Sequence, residues 1–267
     1  MDKKITTEQI QERFKSIYEK FIVIVENNIN FKNNNIELSL LLNKINSNIS
    51  TVILLTSEAM FNEAKIIFRS LFESTVLFEY LIEFPEKIEQ YKKDDLIAEF
   101  QKIYSGYKRG YISINCVIES YNILIDDFKN VIPFEEISEG GLITYNIEKL
   151  EKYFVNRGSK PLSQQTTKII KELLSSESTH GKLLYNLQFE FYNYYAQISH
   201  NRLNSLLNPI KPISNKELLE QIQDMYKNCV IIYKIILETL EIKFGFSDID
   251  DFFRNILNFG EYLSIEI

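Results

Sequence analysis

Apolar residues recur along most of this chain with the period of an α-helix. Ile10, Phe14, Ile17, Phe21, Ile24 and Ile29 line one face of a first helix. Thr6 stands before it with Gln9 three residues on, the spacing of a reciprocal cap at a helix start. The polar run 27–35 ends that helix. A second begins near Ile36 and carries Leu40, Leu41, Ile45, Ile49, Val52 and Ile53. A break is expected near Thr56-Ser57, with Ser57 capping a third helix from about Glu58 to Phe84. That third helix is apolar on nearly every side, from Met60 through Phe68, Leu71, Phe72, Val76 and Leu77 to Leu81, which predicts a central place in a bundle. Pro85 stops it.

From Glu86 to about Phe128 the pattern stays helical, with a break expected at Gly106 or Gly110. Residues 129–141 read as a loop. Short amphipathic helices follow near 145–155 and 163–174, separated by a turn at 156–161. Residues 175–181 read as a second polar loop. An aromatic-rich helix from Lys182 to Leu207 ends at Asn208-Pro209. Ser214 then caps a helix to about Lys243, and a last helix spans about Ser247 to Leu263. No repeat or low-complexity linker interrupts this order. The expected architecture is all-α, a multi-helix bundle forming one domain, with 129–181 as an insertion-like subregion.

Composition agrees with helices. Only 8 Gly and 5 Pro mark turns in 267 residues, while 16 Tyr and 19 Phe supply bulk for the core. The net charge of −7 argues against a broad nucleic-acid-binding face, which needs clustered Lys and Arg. No DNA partner is expected. Cys116 and Cys229 each lie in a helical apolar pattern and read as free, buried thiols of a reducing compartment, the cytoplasm. The N-terminus runs into an amphipathic helix without a signal-peptide pattern. The densest apolar runs, 52–55 and 230–233, fall short of the ~20 residues of a membrane span, so no membrane partner is expected.

Most cofactor chemistry lacks its sequence elements here. There is no Gly-rich phosphate loop and no nucleophile elbow. The chain holds two His. Glu177-x-x-His180 has the spacing of half a di-iron carboxylate site, but it stands alone in a polar loop, so no metal and no cofactor are expected. His180 is read as a solvated loop residue without partners.

The polar residues that do stand out are in helices. Arg69 and Glu73, four apart, share one face of a helix that is otherwise apolar. A buried charge is costly unless paired, so the two either pair structurally or form a pocket in which Arg69 grips an anion and Glu73 orients it. Later in the chain, Tyr192, Ala196 and His200 fall on one helical stripe. His200 there is either a satisfied core residue or a general acid or base near neutral pH. Arg202 lies off that stripe, facing solvent or a ligand mouth.

The two segments Arg69-Ser70-Leu71-Phe72-Glu73 and Tyr192/Ala196/His200, with Tyr80-Leu81 ahead of Pro85-Glu86, together resemble a bacterial family of helical proteins of unknown function, over about residues 40–205. That family more often carries Ser at the Ala196 position. Its architecture is similar to the HEPN superfamily, many of whose members are metal-independent ribonucleases of toxin or anti-phage systems. The resemblance implies an HEPN-like bundle in bacterial stress or phage defence. The R-x(4–6)-H motif of HEPN nucleases is missing, since His200-x-Arg202 is reversed and too close.

Two functions are therefore weighed. One is a non-catalytic or regulatory module in which Arg69, Glu73, Tyr192 and His200 form a buried network, with a second copy or another protein as partner. The other is a metal-independent ribonuclease. There His200 would take the 2′-hydroxyl proton, Arg69 would steady the phosphate, Glu73 would orient one of them, and Tyr192 and Arg202 would contact the ligand.

Overall fold

A computed structural model describes residues 6–27, 35–123, 132, 134, 136–139, 142–145, 147–156, 160–192, 214–246 and 249–263. Among the described residues the fold is all-α apart from one small antiparallel strand pair. In chain order the helices are α1 (Thr7–Asn27), α2 (Ile36–Ser57), α3 (Phe61–Glu83), α4 (Ile88–Lys108), α5 (Ile114–Ile123), α6 (Ile147–Asn156), α7 (Thr166–Ser175), α8 (Gly181–Leu187), α9 (Asn215–Phe244) and α10 (Ile249–Leu263). Strands β1 (Glu136–Glu139) and β2 (Leu142–Tyr145) pair antiparallel, with Glu139 opposite Leu142.

Helix ends follow local chemistry. The Thr6 hydroxyl accepts from the Gln9 amide, and the Gln9 side chain accepts from the Thr6 amide. Ser214 and Glu217 form the same reciprocal box at the start of α9. Gly245 ends α9 at φ 65°, a left-handed conformation that costs a glycine little. The break after α2 differs from expectation. Ser57 ends that helix, its hydroxyl donating to the Leu54 carbonyl, and α3 starts only at Phe61. Between them the chain turns through Ala59 at φ 57°. The break in 86–128 falls at Gly110, φ 75°. The region expected to be a loop from 129 to 141 contributes β1 instead.

The chain divides into two compact units, residues 1–83 with 167–267 and residues 84–166. The sequence predicts one domain with 129–181 as an insertion-like subregion; the boundaries between the compact units lie at 83–84 and 166–167. Pro85 opens a short 3-10 turn after α3, and the return to the first unit falls at 166–167, inside the expected insertion.

In the first unit α3 packs against α2 and α9, and α1 against α2, α9 and α10. From Leu71 to Ile82 nearly every residue of α3 is buried, as its all-round apolar pattern predicts. Phe14 stacks on Tyr226 at 4.2 Å between ring centres, and Phe21 lies 4.4 Å from Tyr233. The length and mean hydropathy (1.3) of α2 meet a membrane-span test that core helices also meet. Leu38, Leu41, Leu42, Ile45, Ile49, Val52 and Thr56 of that helix are buried within the unit.

The second unit has its own core of Ile97, Phe100, Tyr104, Val117, Ile132, Phe134 and Leu150. Cys116, on α5, is exposed rather than buried, because Val117 is the buried residue of that short helix. Cys229 is buried as expected.

Candidate functional site

Helix α3 carries two polar clusters, both in the first unit. The first is built on Arg69 and Glu73, one turn apart. The Arg69 Nε donates to Glu73 Oε1 at 3.0 Å. The Tyr192 hydroxyl donates to the same oxygen at 2.7 Å. Tyr192 ends a π-helical turn, Gln188–Tyr192, that continues α8. Its ring lies 5.5 Å from the Arg69 guanidinium carbon and 5.2 Å from the Phe72 ring. A cation over a ring face and a charged acceptor thus fix Tyr192 from two sides. Below this group, Asn48 of α2 donates to the Ser70 hydroxyl at 3.3 Å.

The cluster is half-buried rather than sealed, with the Arg69 and Glu73 side chains 27% and 31% exposed. Burial works against the Arg69 charge, but the Glu73 hydrogen bond and the neighbouring charges outweigh it and raise its pKa. Burial and then the Glu73 carboxylate push the Tyr192 phenol above its ordinary value. The structure thus brings together three of the expected site residues, Arg69, Glu73 and Tyr192. His200 and Arg202 lie outside the described residues.

The second cluster was missed from sequence. His180 is not a solvated loop residue: it is 4% exposed and held by both ring nitrogens. Its Nδ1 lies 3.1 Å from Glu79 Oε2 and 3.1 Å from Thr239 Oγ1. Its Nε2 lies 2.9 Å from Glu238 Oε2. The Thr239 hydroxyl donates to Glu79 Oε2 at 2.9 Å. Glu79 of α3 and Glu238 with Thr239 of α9 therefore grip the residue that precedes α8. Burial would lower the His180 pKa, but its contacts with Glu79 and then Glu238 prevail and raise it. Burial raises the Glu79 carboxyl, with His180 and Thr239 opposing.

Two sequence signals could have exposed this cluster. Glu79 stands alone in the apolar run 76–82 of a helix read as central, and a buried carboxylate needs a partner. A chain with two His offers few cationic partners that fit a tight core.

Gly181 shows how closely the chain approaches here. A Cβ on it would come within 2.7 Å of the Leu173 carbonyl oxygen at the end of α7. That contact lets α8 start directly after His180, with the Gly181 amide donating to the Ser178 carbonyl. Nearby, Tyr80 donates to Glu172 of α7 at 2.5 Å.

Among the described residues no group of three or more His, Cys, Asp or Glu is arranged to hold a metal ion. Glu79 and Glu238 approach opposite nitrogens of His180, so the three do not converge on one point.

A family described as a family of unknown function (DUF5677) matches residues 35–218. This range runs from α2 through the start of α9 and takes in Arg69, Glu73, Glu79, His180 and Tyr192. No curated protein and no solved structure matches the chain.

Proposed function

The chain belongs to that family of unknown function, and we propose that it is a non-catalytic or regulatory helical module whose Arg69–Glu73–Tyr192 cluster fixes a docking-competent arrangement of helices. Its partner is a second copy or another protein. The setting is bacterial stress or anti-phage defence, in an HEPN-like architecture; the sequence blocks around Arg69 and Tyr192 support that setting.

One observation carries the module reading. Glu73 Oε1 accepts from both Arg69 and Tyr192, so the guanidinium charge is answered inside the cluster. A phosphate approaching Arg69 would meet a carboxylate 3.0 Å from its Nε, and like charges repel in a half-buried site. The net charge of −7 adds to that barrier.

The ribonuclease reading has one observation in its favour. The side-chain exposures of 27% and 31% leave the cluster open enough to meet an RNA phosphate.

Inorganic phosphate separates the two. In the module, the Arg69 Nε–H resonance keeps its position through a titration of the protein with phosphate, because Glu73 holds that proton. A saturable shift of that resonance on adding phosphate would overturn the module reading.

A further inference from the structure

The His180 cluster is a second site, separate from the Arg69 cluster, and its geometry is informative about charge. A neutral imidazole has one N–H and one lone pair. Here both ring nitrogens face carboxylate oxygens, at 3.1 and 2.9 Å. With the ring neutral and both carboxylates ionised, one contact would set a lone pair against an anion. An additional proton removes that conflict. Glu79 makes the need acute, because its Oε1 is buried with no hydrogen-bond partner among the described residues. Among the described residues its hydrogen bonds come through Oε2, from His180 and Thr239.

The charged groups around His180 come from two helices. Glu79 and Glu83 face it from α3, and Glu238 and Lys243 from α9. Lys243 pairs with Glu83 at 3.4 Å on the half-exposed rim. The neutral Ser178 and Thr179 complete the lining from its own loop. Between them lies a cavity of about 20 Å³, room for one water. A water held there would link the buried cluster to solvent and give a proton its route.

The position of His180 in the chain gives the site a consequence. It immediately precedes α8, and the segment 181–192 ends on Tyr192. One end of this segment is tied to α3 through His180–Glu79, the other through Tyr192–Glu73. We propose that the His180–Glu79–Glu238 cluster is a proton-binding site whose occupancy sets how firmly segment 181–192, and with it Tyr192, is held on α3. With the proton bound, His180 bridges α3 and α9. When it leaves, a buried anion is left beside a neutral ring, and the segment loosens at that end. The His180 pKa, raised by the flanking carboxylates against the effect of burial, puts this release on the alkaline side of an ordinary histidine. The proposal stands whether the Arg69 cluster serves a partner or a phosphate.

The test reads the proton and the segment separately. The chain has two His, so ring C–H resonances are assigned with one His200→Gln variant. The expected result is that His180 titrates above an ordinary histidine. Hydrogen exchange of 181–192, corrected for intrinsic rates, should lose about tenfold protection per unit of pH over the range in which the proton is released. In Glu79→Gln the His180 midpoint falls and the protection profile flattens. Glu238→Gln, at the half-exposed partner, lowers the midpoint less and keeps the assay decisive where Glu79→Gln fails to fold. A His180 midpoint at or below that of free histidine overturns the proposal. So does a pH profile of 181–192 unchanged in a folded variant whose midpoint has moved.

Discussion

Replacing Glu73 by Ala removes an acceptor that serves two donors at once. The Tyr192 hydroxyl, 2.7 Å from Oε1, makes a hydrogen bond to a charged group; at this half-buried position it contributes about 1.5 kcal/mol. The Arg69 ion pair is an i,i+4 pair about 30% exposed, so it contributes only about 0.5 kcal/mol. The substitution should therefore cost about 2 kcal/mol, below the roughly 3–5 kcal/mol of a fully buried pair that loses one partner. For a unit of this size that is a fall in Tm of about 4–8 °C. Tyr192→Phe keeps the ring contacts with Phe72 and Arg69 and loses only the hydroxyl, at about 1–1.5 kcal/mol. The two changes share one bond, so the double variant should fall short of additivity by about 1 kcal/mol. Urea unfolding of the four proteins measures this coupling. Additivity within about 0.3 kcal/mol would show that Tyr192 and Glu73 do not meet, and would remove the tie that Tyr192 makes between α3 and segment 181–192.

Further outcomes follow from other contacts. Gly181→Ala should destabilise by about 1–3 kcal/mol in thermal unfolding, because its Cβ would press on Leu173 backbone rather than on a flexible side chain. A thiol reagent should modify Cys116 in the native protein and Cys229 only on unfolding, since Cys229 is buried and its thiol pKa is pushed up by burial. Stability should depend on pH with one sign. His180 and Glu79 both have folded pKa values above their ordinary ones, so each favours the folded state at lower pH. The His180 contribution is complete below about pH 6.5 and is lost as pH rises through its raised value. Glu79 adds in the same direction once its carboxyl ionises. Melting temperatures should fall from mildly acidic to mildly alkaline buffer, with a shallower slope in Glu79→Gln; an equal slope in both proteins would contradict the linkage.

Much of this fold was legible because its determinants are local. Capping boxes at Thr6/Gln9 and Ser214/Glu217, the stop at Pro85 and the glycine after α9 are set within a few residues. The all-round apolar pattern of α3 likewise gave its burial. The hairpin escaped notice because its strands are four residues each, too short for a period-2 pattern to stand out, although Gly140-Gly141 is a turn signal.

The site divides along the same line. Arg69 and Glu73 are one helical turn apart, so their pairing could be read directly. His180 could not be read in that way: the run Ser175 to Gly181 looks solvated, and its partners Glu79 and Glu238 lie 101 and 58 residues away. Its burial also makes His180 unsuitable as a silent control for any assay on the Arg69 cluster.

The central claim, that the Arg69–Glu73–Tyr192 cluster is a structural network of a non-catalytic module, meets its most direct test in RNA. Purified chain is incubated with transfer RNA and with total RNA, with and without EDTA, beside Arg69→Ala and His200→Ala proteins shown to be folded. The module account predicts intact RNA in every lane. Cleavage by the wild type that persists in EDTA and disappears in both folded variants would contradict it and establish the ribonuclease instead.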